Sequence, residues 1–250
     1  MAAIERTVQD HYATFQDRFV AAMAMINAQG GVVSPQDLAG FDQLHTGGAE
    51  ATRGLIDRLG AAPDMRVLDV GSGLGGPARM LAAVSGAHVT GIDLTPAFVT
   101  AAQQLTMATR QQALVNFQCA SALHLPFAAE TFDAAWHIHM SMNIADKARL
   151  YAEIFRVLKA GARLCLYDPI RGSRGSLRFP VPWAAAPDGS DLRTRDAMLE
   201  LVQAAGFVVR QASDHTHEAL AWFAKIAAAK PEANSEALAR ASFSADSRFA

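Results

Sequence analysis

The sequence predicts an α/β fold: a doubly wound, mostly parallel sheet with helices on both faces, behind an N-terminal helical cap. Three observations carry this. From Arg66 onward, short apolar runs alternate with helix-periodic segments, the rhythm of a parallel sheet crossed by helices. The first such run leads into "DVGSGLGGPAR" (69–79), with four glycines between positions 71 and 76. Before residue 46 the apolar residues recur only at spacings of three and four, with no strand pattern.

Taken in order, Ile4, Val8, Tyr12, Phe15, Phe19, Met23 and Ile26 form one apolar stripe of a long helix, stopped by Gly30-Gly31. A loop containing Pro35 follows. A turn and a second helix run from about Thr46 to Leu59, closed by Gly60. The alternating part reads as strand 66–70, helix 76–85, strand 87–93, helix 96–109, strand 114–119, strand 131–136, helix 146–158 and strand 162–168. The helix at 146–158 gathers Leu150, Tyr151, Ile154, Phe155 and Leu158 on one face, with Gly161 at a usual capping position. Four prolines (169, 180, 182, 187) break the stretch 169–190. A helix at 194–204, a strand at 207–212 and a last helix at 217–229 complete the pattern. The Ala/Ser-rich stretch from Pro231 to Ala250 is weakly patterned.

Composition narrows the function classes. With 250 residues, 51% hydrophobic and 18% charged, the chain can bury a sizeable core. A net charge of −2 gives no whole-chain electrostatic case for nucleic acid. The two cysteines, Cys119 and Cys165, stand in apolar strand-like runs and read as buried hydrophobes. They have neither CxxC nor Cys/His spacing, so no metal site is expected. Val20 to Ile26 is too short to span a bilayer, and the first residues show no signal-peptide pattern. A cytoplasmic protein without membrane contact is the expectation.

Gly71, Gly73 and Gly76 satisfy G-x-G-x-x-G, a pattern that several nucleotide cofactors share. Glycines after the first strand let backbone amides approach a ligand at the carboxyl edge of the sheet. Asp93 ends the second strand, 22 positions after Gly71, where it suits the two hydroxyls of an adenosine ribose. Asp69 separates the alternatives. A buried carboxylate aimed at the loop repels a pyrophosphate. It suits a cofactor with an ammonium and a sulfonium, and so favours S-adenosylmethionine over a nicotinamide dinucleotide. The plainer role for Asp69 is to bond loop amides.

"VLDVGSGLGGPARMLA", "GIDL", "ASALHLPFAAETFDAAW" and "RVLKAGARLCLYD" together resemble the class I S-adenosylmethionine-dependent methyltransferases, whose fold is Rossmann-like. The resemblance spans roughly residues 40 to 225. "FDQLHTGGAEAT", "HMSMNIADKARLYAEIFRVLKAGARL", "FPVPWA" and "DHTHEALAWF" are similar to the group containing the sarcosine/dimethylglycine N-methyltransferases. The resemblance implies a cap or lid at 1–45, a methyltransferase domain at 46–230 with an acceptor-site insert at 169–190, and a tail at 231–250. The family's sheet closes with an antiparallel strand that this sequence does not show clearly. A sheet ending after six strands leaves an edge to be covered by the tail, the N-terminal helix or a second subunit of a homodimer.

For the cofactor, the resemblance places Gly71, Gly73 and Gly75 beneath the methionine part and Asp69 near its amino group. Asp93 takes the ribose, Leu94 flanks the adenine, and Ala120 and Ser121 meet the adenine amino group. The family usually has an acid where Ser121 stands. His137 faces the methionine end, and Gln43, Thr46 and Gly48 close over the cofactor. His139 falls where the reacting methyl emerges and is the candidate base, with a role in orienting a neighbour as the alternative. His45, His88, His124 and His215 read as surface or supporting residues.

The expected activity is methyl transfer to a small-molecule acceptor, an amine or a hydroxyl, leaving S-adenosylhomocysteine. C-methylation of a natural product and a nicotinamide-dependent oxidoreductase are the alternatives. The acceptor pocket is expected around Met140, Asn143, Tyr167, Phe179 and Trp183. Arg171, Arg174 and Arg178 offer a patch that could neutralise a substrate carboxylate. Met23, Met25, Met140 and Met142 read either as a pocket lining or as core.

Overall fold

The computed structural model describes residues 7, 16–172 and 176–228. Ile4, Val8, Tyr12, Phe15, Arg174 and the tail from 231 lie outside the described residues. The cap begins with α1 (Gln16–Ala28), whose Ala22 and Ile26 are buried with Leu38, Leu74, Phe98 and Leu105. Met23 and Met25 pack on this cluster as partly buried core.

The expected loop around Pro35 is in fact a helix, α2 (Pro35–Asp42). Ser34 and Asp37 form a reciprocal capping box: Asp37 N–H donates to Ser34 Oγ at 3.3 Å, and Ser34 N–H donates to Asp37 Oδ2 at 2.8 Å. Pro35 therefore opens the helix rather than breaking it, because a first-turn N–H has no helical partner to lose. Then α3 (Gly48–Leu59) leads to β1 (Arg66–Val70).

Next come α4 (Gly76–Ser85), β2 (His88–Asp93), α5 (Pro96–Ala108), β3 (Val115–Cys119) and β4 (Phe132–Ile138). They are followed by α6 (Lys147–Val157), β5 (Leu158–Tyr167), α7 (Arg195–Ala204) and α8 (Thr216–Ala228). The five strands pair in parallel in the order β3-β2-β1-β4-β5. The winding reverses between β1 and β4, which puts a ligand-sized crevice beyond their carboxyl ends. Alternation along β1 sends Val67 to the core under α3 and α4, with Trp136, and Leu68 to the core under α6 and α7, with Ile154. Asp69 lies on the Val67 side.

Three expectations are corrected. Gly161 does not cap a helix: α6 ends at Val157 and passes directly into β5. Pairing with β4 shifts from Phe132↔Leu158 to Ala134↔Arg163, so the positive-φ Gly161 serves a bulge. Residues 207–212 are not a strand. Phe207 is held edge-on against Phe155, ring centroids 5.1 Å apart, which keeps the segment off β5 and leaves Val208 83% exposed. Cys119 is exposed, because β3 is an edge strand and the residue stands at its end.

Among the described residues the N-terminal helix packs at the β3 side of the sheet and does not cover β5. Nor is any helix there long and apolar enough to cross a membrane.

One buried ion pair ties the cap to the sheet. Arg79, on the first turns of α4, is fully buried and donates to Asp42 Oδ2 at 2.7 Å. It also donates to the Leu74 carbonyl at 2.6 Å and to Ala102 O and Thr106 Oγ1. Burial pushes Asp42 up to about 6 despite this partner. A Cβ at Gly76 would meet the Asp42 carboxylate at 2.5 Å, so glycine is required for that approach. Asp42→Ala leaves the guanidinium buried and uncompensated and is expected to cost about 3–5 kcal/mol in urea unfolding. The double variant Asp42→Leu/Arg79→Met is expected to recover most of that loss. A cost below about 1 kcal/mol for Asp42→Ala would contradict the buried pairing.

Candidate active site

At the end of β1 the chain turns under β2: the Gly71 and Ser72 amides both donate to the Ile92 carbonyl, at 2.8 and 2.9 Å. Gly71 has φ +77°, and a Cβ there would collide with the Met140 side chain. The Gly73 amide donates to Asp93 Oδ2 at 2.9 Å, and Asp93 Oδ1 accepts from Thr95 N–H at 2.8 Å. The second acid therefore locks the glycine loop to the end of β2. Burial raises its pKa.

Asp69 is 2% exposed. Burial pushes it up to about 7; the indole of Trp136 favours the charged form, and the nearby Asp93 disfavours it. Asp42 Oδ1, Asp69 Oδ2 and Ser72 Oγ are buried without hydrogen-bond partners, and all three residues line a cavity of about 120 Å³ beneath the loop. Buried polar atoms are ordinarily paired, so three orphans on one cavity wall mark a place where a ligand completes the bonding. Gly71, Gly73, Asp93, Leu94, Ala120, Ser121, Met140 and Asn143 line the same cavity.

Beside it opens a second, larger cleft of about 2340 Å³. The two cavities share Leu44, His45 and His139. His139 thus stands where a group held in one space meets a molecule in the other. It has φ +50°, and its amide donates to the Tyr167 carbonyl at 2.7 Å. Its ring lies 5.3 Å from that of Tyr167 and 5.9 Å from that of His45. Burial, then the adjacent His45, hold His139 down to about 3, with Asp168 opposing. Both effects favour the neutral imidazole.

Asp168, just after β5, fixes this turn. Its Oδ1 accepts from the Met140 amide at 2.8 Å and the Ser141 amide at 3.3 Å, and its Oδ2 accepts from Ser141 Oγ at 2.7 Å. Burial would raise Asp168, but His137 and Ser141 bring it to about 2. His137 Nδ1 is 3.1 Å from Asp168 Oδ2, outside hydrogen-bond angles, and its Nε2 is 3.5 Å from the Tyr151 hydroxyl. His137 is fully buried and lines neither cavity.

The other expected residues divide. Gln43 and Thr46 line the larger cleft. Gln43 Oε1 is 2.6 Å from the Thr52 hydroxyl that donates to it and 3.0 Å from His45 Nε2. Gly48 opens α3 away from both cavities, and Gly75 makes room for Phe117 and Arg79 rather than for a ligand. Tyr167, Trp183 and Met142 line the larger cleft, whereas Phe179 lines neither.

Asn143 is committed to the insert: its Nδ2 donates to the Trp183 and Gly189 carbonyls at 2.8 and 2.9 Å. Arg171 and Arg178 are exposed and line neither cavity.

Three residues here were not singled out from sequence. Ser72 sits inside the glycine motif, where its position was signal enough. His45 was read as a supporting residue but is buried at the junction, with Nδ1 3.0 Å from the Thr46 carbonyl. Asp168 has no local signal, since its partners lie 27 to 31 residues earlier.

A family model described as a methyltransferase domain matches residues 68–166. GfsG of Streptomyces halstedii, named a methyltransferase, is 33% identical over 68% of this chain and 61% of its own. The chain spans less than two thirds of the length of the curated relatives it matches. Among solved structures, the [4+2]-cyclase SpnF superposes with TM-score 0.64 at 28% identity, over 71% of this chain and 63% of that one. The geranyl diphosphate C-methyltransferase of Streptomyces coelicolor A3(2), crystallised with S-adenosyl-L-homocysteine, gives 0.64 at 25%, over 71% and 67%.

The orphaned acid yields a signed prediction. Its folded pKa, about 7, lies above the unfolded 3.8, so its contribution to stability falls as pH rises through that window. Asp69→Asn is expected to raise the unfolding free energy of the ligand-free protein at pH 8 by an amount on the order of a few kcal/mol, read by urea unfolding. At pH 5, closer to the unfolded 3.8, the gain should be less than half as large. An equal effect at both pH values would show that Asp69 is not a buried, titrating acid.

Proposed function

We infer that this chain, which carries a class I S-adenosylmethionine-dependent methyltransferase domain, transfers a methyl group to a small-molecule acceptor by in-line displacement. The observation that carries this reading is Asp69: a buried carboxylate with an orphan oxygen, facing a cavity under a glycine loop. Such an anion suits a cationic amino-acid cofactor. A pyrophosphate would meet two carboxylates there, and the nearby Arg79 is consumed by Asp42.

S-adenosylmethionine, when bound, supplies a methyl already activated on a sulfonium. The work left to the protein is holding, orienting and excluding water. Asp69 would hold the ammonium, with Ser72 completing its bonds. Asp93, already accepting from the Gly73 and Thr95 amides, would also take the ribose hydroxyls. Leu94, Ala120 and Ser121 would border the base, and Met140 the chain of the methionine. Residues 35–46 act as the lid, carrying Leu44 and His45 over the junction.

His139 acts as a neutral hydrogen-bonding and packing group that aims the acceptor, not as a full proton acceptor. An acceptor with its lone pair or π electrons already available fits that role. A free-base amine attacks without prior loss of a proton, whereas a hydroxyl would release its proton to solvent after attack.

Methyl transfer is tested with labelled S-adenosylmethionine and a cell metabolite extract, followed by mass spectrometry of the labelled product. A labelled small molecule is expected. Cofactor binding with no label transferred to any fraction would favour a chain of this fold with other chemistry. Calorimetry should show binding of S-adenosylmethionine and none of NADH; the reverse would favour the oxidoreductase.

Asp93→Ala is expected to weaken S-adenosylmethionine by at least tenfold, the scale of losing charge-assisted hydrogen bonds. Retained affinity would overturn the ribose assignment. His139→Ala is expected to lower kcat more than it weakens cofactor binding. The native pH–rate profile should show no imidazole limb between pH 5 and 8; a limb near 6.5 that disappears in His139→Ala would restore it as the base.

A further inference from the structure

We propose that the acceptor is a large, predominantly apolar molecule, uncharged at its reacting end, that lies in the cleft between β5 and the segment 206–226 and reaches the methyl past His139. This rests on the methyltransferase reading above and adds the class of acceptor to it.

Continuity comes first. Leu44, His45 and His139 belong to the walls of both cavities, so the cleft opens onto the place where the methyl leaves. Size comes second. The cleft, about 2340 Å³, follows β5 from Leu158 to Tyr167, so an acceptor that fills it is extended along the strand. An amino acid or a simple amine would leave most of it to water.

The third observation is the lining. The lining wraps the free edge of β5: Tyr167 borders it on one face of the sheet, Leu166 with Val202 of α7 and Phe207 on the other, and Leu220 and Trp222 of the C-terminal segment complete it. Leu220 is 52% exposed, apolar surface that a ligand of like character would cover.

The fourth is charge. At the inner end stand two imidazoles held neutral by burial, His45 at about 4 and His139 at about 3, beside the Tyr167 ring. No lysine or arginine is among the residues that the two cavities share. Of the cations that line the cleft, Arg58, Lys159, Arg163, Arg195 and Arg210 are exposed, and half-buried Arg156 is paired with Glu153. Arg171 and Arg178, which might have met a carboxylate, line neither cavity. A carboxylate or phosphate at the reacting end would be desolvated with no partner, at a cost that disfavours it. A neutral hydroxyl or carbon centre is not penalised in this way.

The test uses the full chain, the neutral dye Nile red, and a matched pair of competitors, 1-dodecanol and dodecanoate at pH 8. Binding of S-adenosylhomocysteine is followed separately by calorimetry. Nile red is expected to bind with a blue-shifted emission, to be displaced by dodecanol, and to be displaced at least tenfold less effectively by dodecanoate. The Leu220→Glu variant, altered at an exposed position, should lose at least tenfold in Nile red affinity with S-adenosylhomocysteine affinity unchanged.

Dodecanoate competing as well as dodecanol would overturn the neutral reacting end. Undiminished dye binding in Leu220→Glu, or no dye binding at all, would overturn the cleft. Either result with intact S-adenosylhomocysteine binding refutes the acceptor class alone. Loss of S-adenosylhomocysteine binding by the native chain refutes the methyltransferase reading instead.

Discussion

A carboxylate buried without a full set of partners is the constraint from which the site follows. Asp69 stands at the end of β1, where the parallel sheet reverses its winding, and Asp93 ends the neighbouring strand. Burial raises the pKa of both, and the charge of Asp93 raises that of Asp69 further. The fold tolerates them because the glycine loop runs between them. Gly73 gives its amide to Asp93, while Asp69 keeps an oxygen free toward the cavity. A ligand with positive charge relieves this arrangement, and one with a diphosphate aggravates it.

The surroundings of that crevice are fixed by two further buried acids. Asp42 pairs with Arg79 and so fastens the cap to the helix that the glycine loop opens. Asp168 takes the amides of Met140 and Ser141 and so fixes the turn that carries His139. Beyond that turn, Lys147 donates to the Asp191 carbonyl and Asn143 to those of Trp183 and Gly189, which pins the proline-rich insert over the same edge. The cavity under the glycine loop and the larger cleft thus meet at one rim, at Leu44, His45 and His139. The neutral imidazoles at their junction fit chemistry in which position, not proton removal, is what the protein supplies.

What was legible in the sequence was local. The βα rhythm, the glycine loop and the acids at the ends of β1 and β2 follow from periodicity and spacing within some thirty residues. The rest depended on distant partners. Pro35 reads as a breaker until Ser34 and Asp37 are seen to cap each other. Residues 207–212 have strand-like alternation, but an apolar alternation forms a strand only where a neighbour accepts its hydrogen bonds, and Phe207 is held by Phe155 instead. The sequence places His139 at the methyl and His137 at the methionine end of the cofactor. Alternation at the end of β4 and the turn after it separate them: His137 goes into the core toward Tyr151, and His139 to the junction. Asp168 and His45 act through contacts that only the sheet order and the lid create.

The central claim, that a buried anion under the glycine loop selects the amino-acid end of the cofactor, is tested most directly by a pair of ligands and one substitution. S-adenosylhomocysteine and 5′-methylthioadenosine share the adenosine, and only the first has the ammonium. Calorimetric titration of both into the native chain and Asp69→Asn at pH 8 is expected to show S-adenosylhomocysteine weakened at least tenfold, with methylthioadenosine changed less than twofold. Equal loss for both ligands, or no loss for either, would contradict the assignment of Asp69 and with it the reading of the site.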